Sequence, residues 1–250
     1  TGVQTCALPI SLSQVYHDYR RGTHSGYAKF ETFPIWNLPL KHQVNIAYEA
    51  ATADLKDYNQ VDSFHLEAYD TRAVNYNRDI EAFPLLKRIL KKITGAETLY
   101  QSPTDMGVNR AGFGIVDDAA VRRAAEDEII RRYFRYSCEY AMGLVEQDTV
   151  DRIRLIMDEA GLEPERREVV LPAREAAAGA ERNGKGHEGV YCGAALQLPS
   201  GRIITGCNAP ILHSASSLIL NSIKELSGID DEVHLLSPAV IESIRGLKRD

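Results

Sequence analysis

The sequence contains few cysteines, and they form no CxxC pair. Four occur among 250 residues, at Cys6, Cys138, Cys192 and Cys207. Cys6 lies in an opening segment that we interpret below as non-native, and the other three, an odd number without CxxC spacing, indicate no disulfide framework. We therefore expect free thiols and a reducing compartment, the cytoplasm.

Positive charge is scarce relative to negative charge, and long apolar runs are absent. The chain has 29 Lys and Arg residues against 35 Asp and Glu residues, a net charge of −6. A general nucleic-acid binder needs a basic face, so we expect no nucleic-acid partner. A membrane-spanning helix needs about 20 apolar residues, so we expect no membrane association either.

The first ten residues, TGVQTCALPI, lack charge, helical periodicity and a capping residue. They also lack the basic region and cleavage site of a signal peptide. In order, they are the translation of ACT GGA GTT CAG ACG TGT GCT CTT CCG ATC, the end of a common sequencing adapter. We interpret residues 1–10 as a non-native segment and expect the fold to begin at Ser11.

What the chain does contain is helical periodicity over most of residues 11–160. Apolar side chains recur at intervals of three and four residues, and Gly or Asp residues stand at the ends of the runs. This pattern predicts helices over residues 11–21, 41–56, 80–93, 118–142 and 149–160. The stretch EAAAGAERNGKGHEG, residues 175–189, is typical of a linker.

The pattern changes after residue 189. GVYCGAALQL, a Pro-Ser-Gly turn and RIITGCN predict a β-hairpin. We then predict a helix over 211–226 with a buried apolar stripe, a short strand at EVHLL and a last helix from Pro238. The fold class is therefore α+β, with a mainly helical domain at 11–145 and a small three-layer α/β/α domain at 146–250.

Six stretches resemble one bacterial family: GYAKFETFPIWNLPLKH, AYEAATADL, FHLEAY, VNYNRD, SPTDMGVN and EIIRRY. The family is the one known as domain of unknown function 1846, and the resemblance covers residues 11–250. It implies a glycine-rich, lysine-ending phosphate loop just before the first helix and a chain that continues beyond Asp250. We therefore expect a piece truncated at both ends, whose first domain is the remnant of a phosphate-loop domain.

The C-terminal part is similar to an incomplete cytidine-deaminase-like fold. Such enzymes hold zinc with one His or Cys and two further Cys, and they move protons with a Glu. Here the first motif reads His213-Ser214-Ala215, and Glu242 ends the second motif, PAVIE, which has no cysteine. His213 alone cannot form a tetrahedral zinc site, so we predict a degenerate active site without metal.

Polar side chains cluster between residues 29 and 109, in loops and at helix starts. Lysine and arginine there would neutralise anionic oxygens, and a carboxylate would hold Mg²⁺ or act as a base. The alternative is that these residues serve turns and helix caps. The candidate ligand-binding residues are Lys29, Glu31, Thr32, Lys41, His42, Asn77, Arg78, Thr104, Asp105 and Asn109.

These observations leave two functions open. The first is part of a nucleotide- or phosphate-handling enzyme that binds a small phosphorylated ligand. We find no cofactor motif in the present sequence. A longer parent protein would bind a nucleotide and Mg²⁺. The second is a non-catalytic module that binds a ligand or takes part in assembly. Such assembly would include a homo-oligomer of this chain. The two differ in geometry: the first requires Lys29, Lys41, Arg78 and Asp105 to face one cavity.

Overall fold

A computed structural model describes residues 2–109 and 111–247, with the backbone alone for residues 2–8 and 108. The chain divides into two compact units, Thr1–Leu162 and Glu163–Asp250. The division lies later in the chain than the boundary that we predicted between residues 145 and 146. No helix of the described residues is both long enough and apolar enough to cross a bilayer.

The first unit is mainly helical, as predicted, with two small sheets among its described residues. Its helices and strands are α1 (Gly2–Arg20), β1 (Lys29–Phe30), α2 (Gln43–Ala51), β2 (Asn59–Val61), α3 (Ser63–Tyr69), β3 (Val74–Tyr76), α4 (Asn77–Thr94), α5 (Pro103–Met106), β4 (Gly107–Val108), α6 (Asp118–Ala141) and α7 (Gln147–Ala160).

The larger core of this unit lies between α2, α6 and α7. Ala50 of α2, Ile129 and Ile130 of α6 and Ile153 of α7 are all fully buried in it. Helix α7 turns apolar residues inward at intervals of three and four, which is why it packs against α2 and α6. This packing assigns α7 to the first unit and moves the boundary beyond residue 160.

A smaller core joins α1, α4 and α5. Val15, Phe83, Leu90 and Met106 are buried together in it. Helix α4 runs from Asn77 to Thr94 and continues through Pro84. We expected the fold to begin at Ser11, but helix α1 begins at Gly2, so the backbone of residues 2–10 is helical. Residue 1 lies outside the described residues.

The two small sheets bring distant segments together. In the parallel pair β1–β4, Lys29 stands opposite Gly107. In the antiparallel pair β2–β3, Asn59 stands opposite Tyr76. Since each strand has only two or three residues, the sheets mainly set the positions of the loops and helix starts that follow them.

The second unit contains the predicted hairpin with a helix on each face. Its helices and strands are α8 (Val170–Arg182), β5 (Gly193–Gln197), β6 (Ile203–Cys207), α9 (Ser214–Ser227) and α10 (Pro238–Leu247).

Two glycines show how the hairpin packs. A Cβ on Gly193 would lie 2.7 Å from the Ala177 nitrogen of α8, and a Cβ on Gly206 would lie 2.7 Å from the Leu218 Cα of α9. Gly193 pairs with Cys207, whereas Gly206 pairs with Ala194, so the two glycines face opposite sides of the hairpin. The helices α8, the hairpin and α9 therefore form three layers.

Three predictions for this unit are wrong. Helix α8 occupies the first half of the predicted linker at 175–189, because its alanines pack closely against β5. The stretch EVHLL forms turns and not a strand, since no described strand pairs with it. The apolar stripe of α9 is not buried throughout: Ile219, Ile223 and Leu226 are exposed.

Candidate functional site

The first unit contains a cavity of about 360 Å³ between its small sheets. Its walls come from the loop after β1, helix α3, strand β3, helix α5 and the segment after β4. The residues that line it are Glu31, Pro34, Trp36, His65, Val74, Asn75, Thr104, Asp105, Gly107 and Asn109. The volume lies within the range of about 300–1,000 Å³ that is common for small-molecule sites.

Asn109 holds one wall of the cavity together. Its Nδ2 donates to the Pro34 carbonyl oxygen at 2.7 Å, and its own carbonyl oxygen accepts from Trp36 Nε1 at 2.7 Å. The side chain of Asn109 is more than nine-tenths buried, and no described residue bonds its Oδ1. A buried amide oxygen without a partner costs free energy, so the two hydrogen bonds to Pro34 and Trp36 are what hold Asn109 in this wall.

Asp105 combines a structural role with a place in the cavity wall. It closes a capping box at the start of α5: Ser102 Oγ accepts from the Asp105 backbone nitrogen, and Asp105 Oδ2 accepts from the Ser102 nitrogen. The Gln101 nitrogen and the Tyr69 hydroxyl also donate to Oδ2. The three hydrogen bonds that the Asp105 carboxylate accepts all end on Oδ2, which leaves Oδ1 of Asp105 available.

His65 lies on the cavity wall beside this capping box. Its Nδ1 is 3.0 Å from Ser102 Oγ and 3.8 Å from Asp105 Oδ1. The imidazole lies edge-on to the Trp36 ring, with 6.2 Å between the ring centroids. Since Nδ1 is held by Ser102, the Nε2 edge is the one that remains for a ligand.

Asp62 fixes the relative position of α3 and α5 beneath the cavity. It is fully buried; its Oδ1 caps α3 by accepting from the His65 nitrogen. Its Oδ2 accepts from the Thr104 hydroxyl at 2.6 Å. The Thr104 hydroxyl proton is therefore used inside the protein.

Lys29 is neutralised by carboxylates next to the cavity. Its Nζ lies 2.9 Å from Glu31 Oε1 and also contacts Asp79 in the first turn of α4. Burial lowers the pKa of Lys29, and the Glu31 carboxylate opposes that change. The Tyr76 hydroxyl donates to the same Oε1 of Glu31 at 3.3 Å, so Oε2 of Glu31 is the oxygen left for a ligand.

Two further candidates lie at a separate ion pair and not in the cavity. Arg78 Nη2 donates to Oδ2 of the fully buried Asp57 carboxylate at 2.7 Å, and Arg78 Nε lies 2.6 Å from Asp57 Oδ1 in the same ion pair. Asn77 Oδ1 accepts from the Tyr58 backbone nitrogen at 3.0 Å. Both side chains fasten the start of α4 to the segment before β2.

The remaining candidates also lie away from the cavity. Lys41 is exposed and pairs with Glu159 of α7 at 2.8 Å. His42 is buried at the start of α2, where its Nδ1 accepts from the Val44 nitrogen and its Nε2 lies 2.8 Å from Asp118 Oδ1. Thr32 is exposed and does not line the cavity. The structure thus brings together Glu31, Thr104, Asp105 and Asn109, with Lys29 adjacent to them. Lys41 and Arg78 do not face this cavity, so the single-cavity geometry that a phosphate-handling enzyme would require is not met.

Two family models match almost the whole chain. Residues 1–161 match the model described as domain of unknown function DUF1846, N-terminal, and residues 165–250 match the corresponding C-terminal model. The chain belongs to the DUF1846 family. The boundary between the two models agrees with the division between the two structural units.

Named relatives in this family carry no functional description. UPF0371 proteins of Clostridium tetani (strain Massachusetts / E88) and of Clostridium botulinum (strains Langeland and Okra) are each 54% identical to the chain over 241 residues. These alignments cover 96% of the chain and 48% of each relative. The chain therefore spans about half the length of the curated relatives that it matches.

Sequence reasoning missed several residues of this DUF1846 cavity. Trp36 and His65 are not among the predicted ligand-binding residues, although both line the cavity. Asn75 carried no signal, because it lies inside a three-residue strand whose pairing is evident only in the structure. A signal did exist for Trp36: it is the single tryptophan, and it lies between two prolines in the longest family motif.

The described residues of this family member contain no group of three or more His, Cys, Asp or Glu side chains arranged to hold a metal ion. In the second unit, His213 occupies the N-cap position of α9 and Glu242 of α10 lies 3.5 Å from Arg245.

Proposed function

We propose that the cavity of the first unit binds the uncharged, polar part of a nucleotide or of a related phosphorylated metabolite. The observation that carries this proposal is a small-molecule-sized cavity whose wall combines Trp36 and His65 with the polar side chains of Glu31, Asn75 and Asp105. Trp36 and His65 supply flat aromatic surfaces in the same wall, which suit a planar ring or a sugar face.

The charges around the cavity support this part of the ligand over its phosphate groups. Lys41 and Arg78, which we predicted would neutralise phosphate, pair with Glu159 and Asp57 elsewhere. Lys29 is already paired with carboxylates. An anionic group entering the cavity would meet Glu31 and Asp105, and like charges at close range are unfavourable. Phosphates and Mg²⁺ would thus be held by other residues, for which the resemblance suggested a glycine-rich loop in longer family members.

The single tryptophan provides the test. Trp36 lies in the cavity wall, so its fluorescence reports binding at this site and not elsewhere. We expect adenosine or guanosine, titrated into the chain, to change Trp36 emission in a saturable way, and inorganic phosphate to cause no change. An unchanged spectrum with every nucleoside at millimolar concentration would contradict the proposal, as would displacement of a nucleoside by inorganic phosphate.

A pair of matched variants makes the test specific. Glu31→Gln keeps the shape of the cavity wall and removes one acceptor charge, so we expect nucleoside affinity to fall by about tenfold. Glu49→Gln is the control, because Glu49 is half-buried in the same unit and bonds the Asn59 nitrogen outside the cavity. Equal losses in both variants would indicate a general effect on folding.

Assembly with a second copy of the chain is the other candidate function, and one observation favours it. Ile219, Ile223 and Leu226 form an exposed apolar line along α9 at intervals of three and four residues. Such a line is typical of a helix face that packs against a partner. An assembly function agrees with the proposal that the second unit is a degenerate, non-catalytic deaminase-like module. Analytical ultracentrifugation of the chain and of Ile223→Lys tests it: a concentration-dependent dimer that the variant abolishes is expected.

We also propose the cytoplasm as the compartment of this chain. Cys138, Cys192 and Cys207 are free thiols, as expected in reducing surroundings. Thiol labelling of the native protein in intact and in lysed cells tests this: Cys192 is exposed and should react with a membrane-impermeant reagent only after lysis.

A further inference from the structure

We infer that the groove between α2 and α6 is a second binding site, which takes a medium-chain fatty acid: a carboxylate with an apolar tail. This inference goes beyond the proposed function, because no residue that lines the groove also lines the cavity around Trp36. Two features of the groove name the class of ligand, an apolar wall and a cationic end.

The wall of the groove comes from one face of each helix. Helix α2 contributes Val44, Ala47 and Ala51, at intervals of three and four residues, and α6 contributes Val121 and Ala124. Because the alanine side chains are short, they leave an open space of about 450 Å³ between the helices. A space of this size with an almost wholly apolar wall favours a hydrocarbon chain, whose methylene groups leave water on binding.

The charged residues of the lining lie towards one end of the groove. The two helices run in the same direction, since Arg122 bonds Gln43 near their starts and the Tyr136 hydroxyl donates to the Ala51 carbonyl oxygen near the end of α2. Glu128 and Arg132 follow Ala124 along α6 at intervals of four residues, so they continue the face that lines the groove. The apolar wall therefore leads to a charged end.

This charged end is cationic, because one carboxylate there faces two guanidinium groups. Glu128 Oε2 accepts from Arg131 Nε, and Glu128 Oε1 accepts from Arg131 Nη2 and from Arg132 Nε. The three side chains together keep one positive charge. No hydrogen bond of the described residues uses the Nη groups of Arg132, whose side chain remains 20% exposed. These N–H groups suit a ligand carboxylate, which accepts strong hydrogen bonds from a guanidinium group.

The test compares ligands that differ in tail length or in charge. Hexanoate, octanoate and 1-octanol are titrated into the chain by calorimetry, at concentrations below those at which they aggregate. We expect octanoate to bind at a single site, roughly tenfold more tightly than hexanoate because two more methylenes are buried, and at least about fivefold more tightly than 1-octanol. No octanoate binding at millimolar concentration would overturn the inference, as would equal affinities for octanoate and 1-octanol.

Two variants link each feature to the groove. Ala124→Leu fills the space between the helices, so it should weaken octanoate and 1-octanol alike by about tenfold or more. Arg132→Gln should bring octanoate and 1-octanol within about twofold of each other. Arg123→Gln is the matched control, because Arg123 is an exposed arginine of the same helix that does not line the groove; it should keep the preference for octanoate.

Circular dichroism shows first that each variant folds, and if one does not, the three ligands on the unaltered chain still decide. Unchanged octanoate affinity in a folded Ala124→Leu would overturn the assignment to this groove. A preference for octanoate that survives in Arg132→Gln would overturn the role of the cationic end. A dimer that Ala124→Leu abolishes, in a chain that binds no octanoate, would identify a second copy as the occupant and overturn the inference.

Discussion

Asn45 links the cavity wall to the larger core. It is fully buried on α2, its Oδ1 accepts from the Ile35 nitrogen at 2.7 Å, and its Nδ2 donates to the Ile35 carbonyl oxygen at 3.1 Å. The side chain thus pairs with an irregular segment as a neighbouring strand would. Pro34 and Trp36, on either side of Ile35, are placed in the cavity wall by this contact.

We expect Asn45→Ala to lower the free energy of unfolding by about 2–4 kcal/mol, because two buried backbone groups lose their partners. The same variant should weaken nucleoside binding, since Trp36 loses its support. Urea denaturation followed by circular dichroism measures the first effect, and titration measures the second. Thr32→Ala, at an exposed position in the same loop, serves as the control, and a loss of equal size there would disprove the role of Asn45.

The ion pair between Asp57 and Arg78 is asymmetric. Asp57 is fully buried, whereas the Arg78 side chain is 44% exposed. Burial also raises the pKa of Tyr48, and the nearby Asp57 carboxylate raises it further. Because the two partners differ in burial, removing the arginine leaves the buried Asp57 charge without its partner. Removing the carboxylate leaves an arginine that water can reach.

Arg78→Ala is accordingly expected to cost about 3–5 kcal/mol of stability, and Asp57→Asn about 1–2 kcal/mol. Equilibrium denaturation at neutral pH gives both values. The order of the two losses is the decisive result, and a larger loss for Asp57→Asn would contradict the asymmetry.

Helix α6 carries a local ion cluster on its outer side. Glu128 accepts from Arg131 Nε and from Arg132 Nε, each at 2.6 Å, at spacings of three and four residues. The two guanidinium groups lower the pKa of Glu128 from 4.5 to about 2 despite partial burial. Because the pKa is lower in the folded state, the contribution to stability is complete above pH 4.5 and is lost as the pH falls towards 2.

Glu128→Gln should therefore lower the free energy of unfolding by about 1 kcal/mol at pH 7. The effect is small because the Glu128 side chain is 33% exposed, so solvent partly screens its ion pairs with Arg131 and Arg132. Between pH 5 and pH 2 the unaltered chain should lose that advantage over the variant. Denaturation curves at several pH values test this, with Asp127→Asn on the exposed side of α6 as the control. A difference between the chain and Glu128→Gln that stays constant down to pH 2 would contradict the assigned pKa.

Helices α7 and α9 have similar apolar periodicity but different surroundings. Ile153 of α7 is completely buried between α2 and α6, whereas Ile223 of α9 is 44% exposed. Periodicity predicted both helices correctly. It could not predict which apolar stripe is covered, because that depends on how many elements pack around each helix.

Ile153→Ala is expected to destabilise the protein by about 2–4 kcal/mol, and Ile223→Ala by about 0.5 kcal/mol at low protein concentration. Thermal denaturation of both variants provides the comparison. Similar losses for the two would mean that the α9 face is packed in solution.

The described residues pack as two separate units, each with its own buried contacts. The second unit depends on close contact between the hairpin and its two helices, and Gly206 permits that contact with α9. A methyl group at this position would meet the backbone of α9, which side-chain rotation cannot relieve.

We expect Gly206→Ala to reduce amide-exchange protection in β5, β6 and α9 by at least tenfold, with a much smaller change in α2, α6 and α7, which have their own core. Hydrogen exchange with mass spectrometry resolves the two regions. Gly246→Ala is the control, because nothing lies within 4 Å of a Cβ there. Protection in the hairpin that is unaffected by Gly206→Ala would show that the layers are not tightly packed.

The sequence by itself determined the long helices α6 and α7 and the hairpin, but not the helices α3, α5 and α8. Residues 118–142 and 149–160 were predicted within two residues of α6 and α7, and the hairpin at Gly193–Cys207 was confirmed, because periodicity and turn chemistry are local properties. Four candidates, Glu31, Thr104, Asp105 and Asn109, were also brought to one cavity. The family assignment followed from long motifs and was confirmed by both family models.

Only the tertiary structure decided which polar residues face the cavity. Arg78 and Asp105 have similar signals in the sequence, yet Arg78 pairs with Asp57 and Asp105 lines the cavity. His42 became a buried helix cap, and Asn75 joined the wall through strand pairing. Partners of this kind are far apart in the chain, and their contacts depend on how helices and short strands pack, which no local pattern encodes.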